Sequence, residues 1–460
     1  GYVSAIRAAQ LGFKVALIEE KKVGGVCLHQ GCIPSKAFIK SAEVFDLLKE
    51  VQKFGVHCSN EGFNFNSIKT RAQNIINTLH GGVKDLLAKN KVDVYNFRAS
   101  LMGASIFSPL AGSVAVPNED GESDIIVSKN IIIATGTAVT TLNGLDIDGK
   151  HVISSNEALE LEDVPQSIII VGGGVIGIEW ASLLNALGCK VTVLEYTSNI
   201  LPQEDEEISK ELKKQLIKKG INIINNANVL PASLVKDANS VSIKAKVDNK
   251  EESFTASKIL VAVGRLPNTK NIGLENTKVT LDKKGFIEVD SNFKTKEKHI
   301  FAIGDVTGFM PLAHAASAAG VYVVEFLKGL KPPKLFKDNI PRCVYTKPEV
   351  AAIGLSEKEA KEKGIDIKIA KFPFMANSKA LIEEEKDGFI KIVVEKNTND
   401  LLGVHMLGAK ATELISTSSL AKFLNASGLE LGKAIYPHPG LSEVIAEGAL
   451  GVYNAAIHKH

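Results

Sequence analysis

Residues 167–177, SIIIVGGGVIG, carry an apolar run straight into a G-x-G-x-x-G turn, a junction that points to a parallel α/β sheet binding a dinucleotide. The three motif glycines have separate tasks. Gly172 permits the tight turn, Gly174 lets a pyrophosphate come up to the backbone, and Gly177 lets the following helix pack closely on the strand. That helix begins at the turn, so Val175 and Ile176 are candidate phosphate contacts. A second strand, KVTVLE at 190–195, ends in Glu195, eighteen residues beyond Gly177, where a carboxylate can accept both ribose hydroxyls of an adenosine.

The unit occurs twice. A shift of 176 residues lays Gly1 on Gly177, Ala5 on Ala181, Leu11 and Gly12 on Leu187 and Gly188, Lys14 and Val15 on Lys190 and Val191, and Glu19 on Glu195. Gly1 therefore reads as the last glycine of a first dinucleotide fingerprint. A natural N-terminal extension carrying the strand and the two earlier glycines is expected. Two such Rossmann-like units imply two cofactors, or one cofactor and one electron carrier. Three more apolar strands end in small turns, at 130–136 (NIIIATG), 259–265 (ILVAVGR) and 299–305 (HIFAIGD). Singly each is no more than a strand end, but together they outline sheet edges of the kind where α/β folds hold ligands.

A chain of 460 residues exceeds one ordinary hydrophobic core, so about three domains are expected, with a fourth possible. The balance of 54 basic against 52 acidic residues gives no reason to expect nucleic acid or an anionic membrane as partner. Apolar runs fall well short of the roughly 20 residues that span a bilayer. Five cysteines, Cys27, Cys32, Cys58, Cys189 and Cys343, are too few and scattered for a secreted disulfide framework, which favours an intracellular setting.

One close pair stands out. In residues 24–36, GGVCLHQGCIPSK, Cys27 and Cys32 lie five apart at the start of an amphipathic helix running toward Leu48. In a regular helix such positions are about 140° apart round the axis and about 8.7 Å apart, beyond the usual span of a disulfide. A bond between them needs a distorted turn, which Gly31 and Pro34 can supply, and a bridge held in this way is readily reduced. Zinc is the alternative, but it requires two more ligands at suitable spacing and none is local. Cys58, Cys189 and Cys343 are expected to pack as small hydrophobes.

These residues resemble the dihydrolipoamide dehydrogenase family, the lipoamide-oxidising flavoenzymes within the glutathione reductase superfamily of pyridine nucleotide-disulfide oxidoreductases. The similarity runs from Gly1 to about Leu450 through residues 24–36, 134–136, 172–179, 264–265, 304–305, 312–314 (LAH), 345–350 (YTKPEV), 372–379 (FPFMANSK) and 438–443 (HPGLSE). It implies an α/β fold of two Rossmann-like domains with a small central domain and an α+β C-terminal dimerisation domain. The expected boundaries are 1–146 for FAD, 147–265 for NAD, 266–336 for the central domain and 337–460 for the interface.

The resemblance also implies roles. Gly1, Glu19, Lys36, Thr135, Gly136, Thr137, Asp305, Leu312, Ala313 and His314 would line FAD, with Asp305 on its ribityl chain. Gly172, Gly174, Val175, Ile176, Gly177, Glu179, Glu195, Val229 and Gly264 would serve NAD. Cys27 would be the interchange sulfur, and Cys32 the sulfur beside the flavin. Lys36 and Glu179 would pair near the flavin N5, a structural salt bridge being the plainer alternative. No metal is expected. Glu195 favours NAD, since a carboxylate repels the 2′-phosphate of NADP.

His438 precedes Pro439, which can occupy the first turn of a helix and bring Glu443 within reach of the imidazole. A carboxylate on one ring nitrogen raises its basicity and leaves the other nitrogen to take a thiol proton. A histidine in that place is more often a capping or surface residue; the resemblance makes it the catalytic base, acting with Glu443 on the cysteine pair of the other subunit of a homodimer. The implied reaction oxidises protein-bound dihydrolipoamide and reduces NAD. The implied partners are lipoyl domains of 2-oxo acid dehydrogenase or glycine cleavage complexes, in the bacterial cytoplasm or, in a eukaryote, the mitochondrial matrix. A non-catalytic flavoprotein acting as an assembly subunit is the competing class, and the intact Cys27, Cys32, His438 and Glu443 speak against it. The chain departs from the family at His29, where asparagine is usual, at Arg98 and Ala319, and in lacking proline after Thr137.

Overall fold

The structure, a computed structural model, describes residues 1–59, 62–104, 111–117 and 122–458. The chain divides into two compact units, one made of residues 1–37, 69–140 and 265–335, the other of 38–68, 141–264 and 336–460. Among the described residues no helix is long and apolar enough to cross a membrane.

In the first unit, strand Ala16–Ile18 runs parallel to Asp93–Tyr95, and Ile131–Ile133 runs parallel to Ile300–Ala302. A three-stranded antiparallel sheet joins Ser100–Leu101, Val114–Pro117 and Ser123–Ile126, and Thr137–Val139 pairs antiparallel with Arg265–Pro267. Helix Tyr2–Gln10 lies along helix Ala313–Leu327. Gly320 allows this approach, because a Cβ there would sit 2.6 Å from the Ser4 hydroxyl. Arg7 continues the contact with an ion pair to Glu325 at 2.6 Å. The pairing of Ser4 with Gly320 and of Arg7 with Glu325 makes the helices parallel, so their N-termini, at Gly1 and Leu312, point to one end. Ala319 is buried in an apolar cluster with Phe293, Phe301 and Val323.

The second unit contains a five-stranded parallel sheet in the order Asn222–Ile224, Lys190–Leu194, Ser167–Val171, Lys258–Val261, Val152–Ser154. The glycine-bearing strand is central, and its residues Ile168 to Val171 are almost wholly buried, as its unbroken apolar sequence requires. Each such side chain stabilises the fold by roughly 1.5–3 kcal/mol. Helices Val175–Ala186 and Glu206–Lys218 follow in the doubly wound manner. An antiparallel three-stranded sheet, Ala227–Lys236, Val241–Val247 and Lys250–Ala256, follows in sequence.

A second five-stranded sheet in this unit is antiparallel, ordered Arg342–Val344, Glu349–Gly354, Leu401–Gly408, Phe389–Glu395, Ile367–Pro373. Its core of Ile390, Ile392, Val404, Met406 and Phe372 packs with Val444, Ile445 and Ala449 of helix Glu443–Gly451. Two helices beside it begin at serine-glutamate capping boxes, Ser356 with Glu359 and Ser427 with Glu430, so their starts are written locally in the sequence.

Candidate active site

The cysteine pair sits on an interrupted helix. Helix Gly25–Gln30 stops at Gly31, whose φ of −134° and ψ of −117° leave the helical region, and Cys32–Glu50 starts anew on the next residue. This is the distorted turn that the spacing demands, and it also extends the expected helix two residues past Leu48. A Cβ on Gly31 would lie 3.1 Å from the Val26 carbonyl oxygen and 3.2 Å from the Cys27 Cα, so a side chain here would push the two cysteines apart. Cys27 and Cys32 carry thiols, the first half-buried and the second exposed. The Cys27 thiol is held far above its ordinary range by its hydrogen bond to Cys32 and then by burial, while the Lys36 ammonium opposes the shift. Of the two sulfurs, that of Cys27 is the more buried.

His29, between the cysteines, turns aside. Its Nε2 donates to the Val23 carbonyl at 2.9 Å, and its ring meets the edge of His80 at a centroid distance of 5.1 Å. Cys189 packs as expected, burial pushing its thiol up to about 12, and Cys343 is half-buried against the antiparallel core. Cys58 corrects the expectation. It is exposed, four residues beyond the 3₁₀ turn Val51–Phe54.

The first unit also gathers the residues expected around FAD. Thr137 donates through Oγ1 to Asp305 at 3.0 Å, and Arg265 holds the same threonine through Nε to its Oγ1 at 2.8 Å and Nη2 to its carbonyl at 2.7 Å. Thr135 and Asn268 exchange bonds of 2.8 and 2.9 Å. Gly136, at φ +67°, turns the chain between them and has open space where a side chain would stand. Leu312 is the N-cap of its helix, with Ala313 and His314 exposed in the first turn. Gly1 precedes helix Tyr2–Gln10, and a Cβ there would make only ordinary contacts with Ala134 and Leu17. The Glu19 carboxylate accepts from the Lys21 amide at 3.0 Å. Two parallel helix N-termini and an open glycine turn fit a cofactor with a pyrophosphate. Arg98 reaches the Lys270 carbonyl at 3.3 Å and pairs with Glu20 at 3.7 Å, the residue after Glu19.

In the second unit the glycine turn has the three properties read from its motif. Gly172 has φ +108° and a Cβ would meet the Ala262 carbonyl oxygen at 2.5 Å. At Gly177 a Cβ would be 2.0 Å from the Gly172 oxygen, whereas at Gly174 nothing lies within 4 Å, leaving the cradle a phosphate would fill. Val175 and Ile176 are exposed at the start of the helix. Glu195 is buried, and its carboxylate accepts from the Gly173 amide and from both the amide and hydroxyl of Thr197, the latter two at 2.7 Å. Val229 is buried with Ala227 and Val241, and Gly264 follows the strand Lys258–Val261 at φ +133°. Glu179, in helix Val175–Ala186, accepts from the Tyr345 amide at 3.0 Å.

His438 and Glu443 do meet. The imidazole Nδ1 lies 3.0 and 3.2 Å from the two carboxylate oxygens, and the Gly440 amide donates to the same carboxylate at 2.9 Å. Burial would raise the Glu443 carboxyl, but the Gly440 amide and His438 outweigh it and hold the group below its usual range. The His438 side chain is 72% exposed, so Nε2 faces outward. Pro439 is a correction: it follows a cis peptide and lies ahead of the helix, which starts at Glu443 with Ser442 as N-cap. Glu443 reaches back across a tight turn around Gly440 instead of across a helical turn.

Sequence reasoning missed Gly173, Thr197, Arg265 and Asn268 as supports of the site. Backbone donors leave no sequence signal, but a hydroxyl two residues after Glu195 is a turn pattern that could have been read.

Residues 1–320 match the family model of the pyridine nucleotide-disulphide oxidoreductases and residues 340–449 match that of their dimerisation domain, and the chain belongs to this family. It is thus a flavoprotein disulfide oxidoreductase that uses FAD and NAD. It is 50% identical to dihydrolipoyl dehydrogenase of Bacillus subtilis, covering 100% of this chain and 97% of that one, and 39% identical to dihydrolipoyl dehydrogenase of Zymomonas mobilis, covering 100% and 97%. Among solved structures, LpdA of Mycobacterium tuberculosis superposes with a TM-score of 0.90 at 25% identity, over 98% of this chain and 97% of its own.

Proposed function

We propose that the protein is a dihydrolipoyl dehydrogenase, oxidising protein-bound dihydrolipoamide to lipoamide and reducing NAD. The observation that carries this reading is the hydrogen-bonded Cys27–Cys32 pair at the helix break, in a chain half identical to an enzyme of that name. In the oxidised enzyme the two sulfurs form a disulfide. His438 Nε2 takes the proton of one substrate thiol, while Glu443 on Nδ1 stabilises the resulting imidazolium. The substrate thiolate attacks Cys27, the Cys27–Cys32 bond breaks, and Cys32 leaves as a thiolate. The second substrate thiol gives its proton to solvent and attacks the mixed disulfide, closing lipoamide and releasing Cys27, which takes back the proton held by His438. The pair has gained two electrons, Cys27 as thiol and Cys32 as thiolate. A bound FAD would supply the route by which those electrons pass to NAD as hydride.

Other chain residues set the stage. Thr135, Thr137, Asp305 and the helix start at 312–314 would hold the flavin cofactor, Lys36 would balance charge on its reduction, and Glu179 would serve NAD. Glu195 takes the adenosine ribose of NAD. The proposal extends to a homodimer in which His438 and Glu443 serve the partner's cysteines, since the dimerisation domain is present and the imidazole is exposed. It also extends to lipoyl domains of 2-oxo acid dehydrogenase or glycine cleavage complexes as partners and to a reducing compartment such as the bacterial cytoplasm, where an exposed dithiol persists. The domain boundaries at 146, 265 and 336 belong to the same proposal.

The test is a comparison of dihydrolipoamide with NAD against glutathione disulfide with NADPH. Turnover of the first pair alone supports the reading. Turnover of the second pair alone refutes it.

A further inference from the structure

Among the described residues Lys391 is the most completely buried charge outside the site just described. Its side chain is 1% exposed, in the middle of strand Phe389–Glu395, and its ammonium lies 3.0 Å from Asp205, 2.7 Å from Glu207 and 2.8 Å from Glu357. Burial would lower this ammonium, yet hydrogen bonds to Glu207 and Glu357 and the charge of Asp205 keep it above the ordinary lysine range. Stability alone is a poor reason for such a cluster, because an apolar side chain of similar volume commonly serves a fold as well as a buried ion pair does.

The carboxylates it holds open a different explanation. Asp205 caps helix Glu206–Lys218, its carboxylate accepting from the Glu207 amide at 3.0 Å. Its neighbour Glu204 receives Arg342 in a two-pronged contact, Nε at 2.9 Å and Nη2 at 3.1 Å. Both residues end the loop that leaves the ribose acid Glu195. Within that loop the Leu201 amide donates to the Gly173 carbonyl at 2.9 Å, and the Glu204 amide donates to the Leu201 carbonyl at 2.9 Å. Leu201 itself stands at φ +46°, a strained position for a branched side chain, so the loop needs to be held there. Gly173 is thereby gripped on both faces of its peptide links, its amide by Glu195 and its carbonyl by Leu201.

We propose that Lys391 and Arg342 are positioning residues for the nicotinamide nucleotide: by pinning Asp205 and Glu204 they hold residues 196–205 against the Gly172–Gly174 turn, which keeps its amides and Glu195 aimed at the pyrophosphate and ribose. This deepens the NAD role proposed above and rests on it. Arg342 and Lys391 lie far along the chain from the nucleotide motif, on the antiparallel sheet, and act only through Glu204 and Asp205.

The test uses the FAD-loaded enzyme and the variants Arg342→Met and Lys391→Met, with NADH binding measured by calorimetry alongside steady-state kinetics. The expected result is NADH affinity weaker by about tenfold, the scale of losing one buried charged contact. KM for NAD rises in step, while kcat at saturating NAD, KM for dihydrolipoamide and the flavin spectrum stay as in the parent. Arg342→Lys, which keeps the charge, recovers part of the affinity. Unchanged NADH binding in a folded Arg342→Met protein overturns the inference, whatever its melting temperature. Should Lys391→Met fail to fold, Arg342→Met still decides. Calorimetry requires no lipoyl substrate, so a parent enzyme that binds NADH but ignores dihydrolipoamide sinks the proposed reaction and leaves this inference standing.

Discussion

The two nucleotide units of this chain are alike in backbone and differ in a side-chain donor to the acids Glu19 and Glu195 that follow their second strands. Their helices end on matching caps, Leu11 at φ −82° and Leu187 at φ −84°, followed by Gly12 at +83° and Gly188 at +94°. Glu19 donates its amide to the Tyr95 carbonyl as Glu195 does to that of Ile224. The side chains diverge. Each acid accepts from the amide two residues further on, Glu195 from Thr197 and Glu19 from Lys21, but the Thr197 hydroxyl adds a donor to Glu195 that a lysine side chain at position 21 does not give to Glu19. A repeated motif therefore fixes where a nucleotide can lie, and the loop after it decides how rigidly the pocket is prepared. A cofactor that stays bound can help order its own pocket, whereas a nucleotide that exchanges in every turnover gains affinity from a pocket ordered beforehand.

That contrast can be broken by substitution. The largest effect is expected at Gly177, where Gly177→Ala drives a Cβ to within 2.0 Å of a carbonyl oxygen and costs about 3 kcal/mol or more. A loss under about 1 kcal/mol in denaturant titrations would show that the turn is not packed this closely. Next comes Glu195→Ala, which strands three donors and lowers stability by about 2 kcal/mol, against about 1 kcal/mol for Thr197→Val, which removes only the hydroxyl donor. Gly174→Ala sharpens the point from another side. Nothing occupies the space its Cβ would take, so the melting temperature holds while NADH affinity drops by about tenfold or more.

The smallest effect at neutral pH is at His405, which lies beside Lys391 on the neighbouring strand and donates from Nε2 to the Leu355 carbonyl. Burial depresses its pKa, so the folded protein keeps it neutral. Its contribution is complete above the unfolded-state value of about 6.5 and is lost as the pH falls below that, because only the unfolded chain takes up the proton. Melting temperatures should fall on acidification, and less steeply in His405→Gln. Parallel curves would show that the acid response lies elsewhere.

Much of this arrangement was legible in the sequence, and the reasons for success and failure are physical. The glycine turn at 172–177 and the break at Gly31 could be derived because each follows from steric limits on one or two residues. Glu443 was found as the partner of His438, but the path between them was misjudged, since proline at a helix start is a statistical habit while the turn around Gly440 depends on the surrounding fold. Lys391 was overlooked, although a lone charge inside the apolar run FIKIVV is a signal in itself. Its partners Asp205, Glu207 and Glu357 could not be named, because they come together only when distant segments pack.

The account stands or falls on the two sulfurs acting as one redox pair beside the flavin. Anaerobic addition of one equivalent of dihydrolipoamide to the FAD-loaded enzyme, followed in the visible spectrum, tests this directly. The parent protein is expected to develop a long-wavelength band without bleaching of the flavin, and Cys32→Ser to develop none and to lose dithiol-dependent NAD reduction. A Cys32→Ser protein that shows the band, or that reduces NAD at the parent rate, would contradict the account.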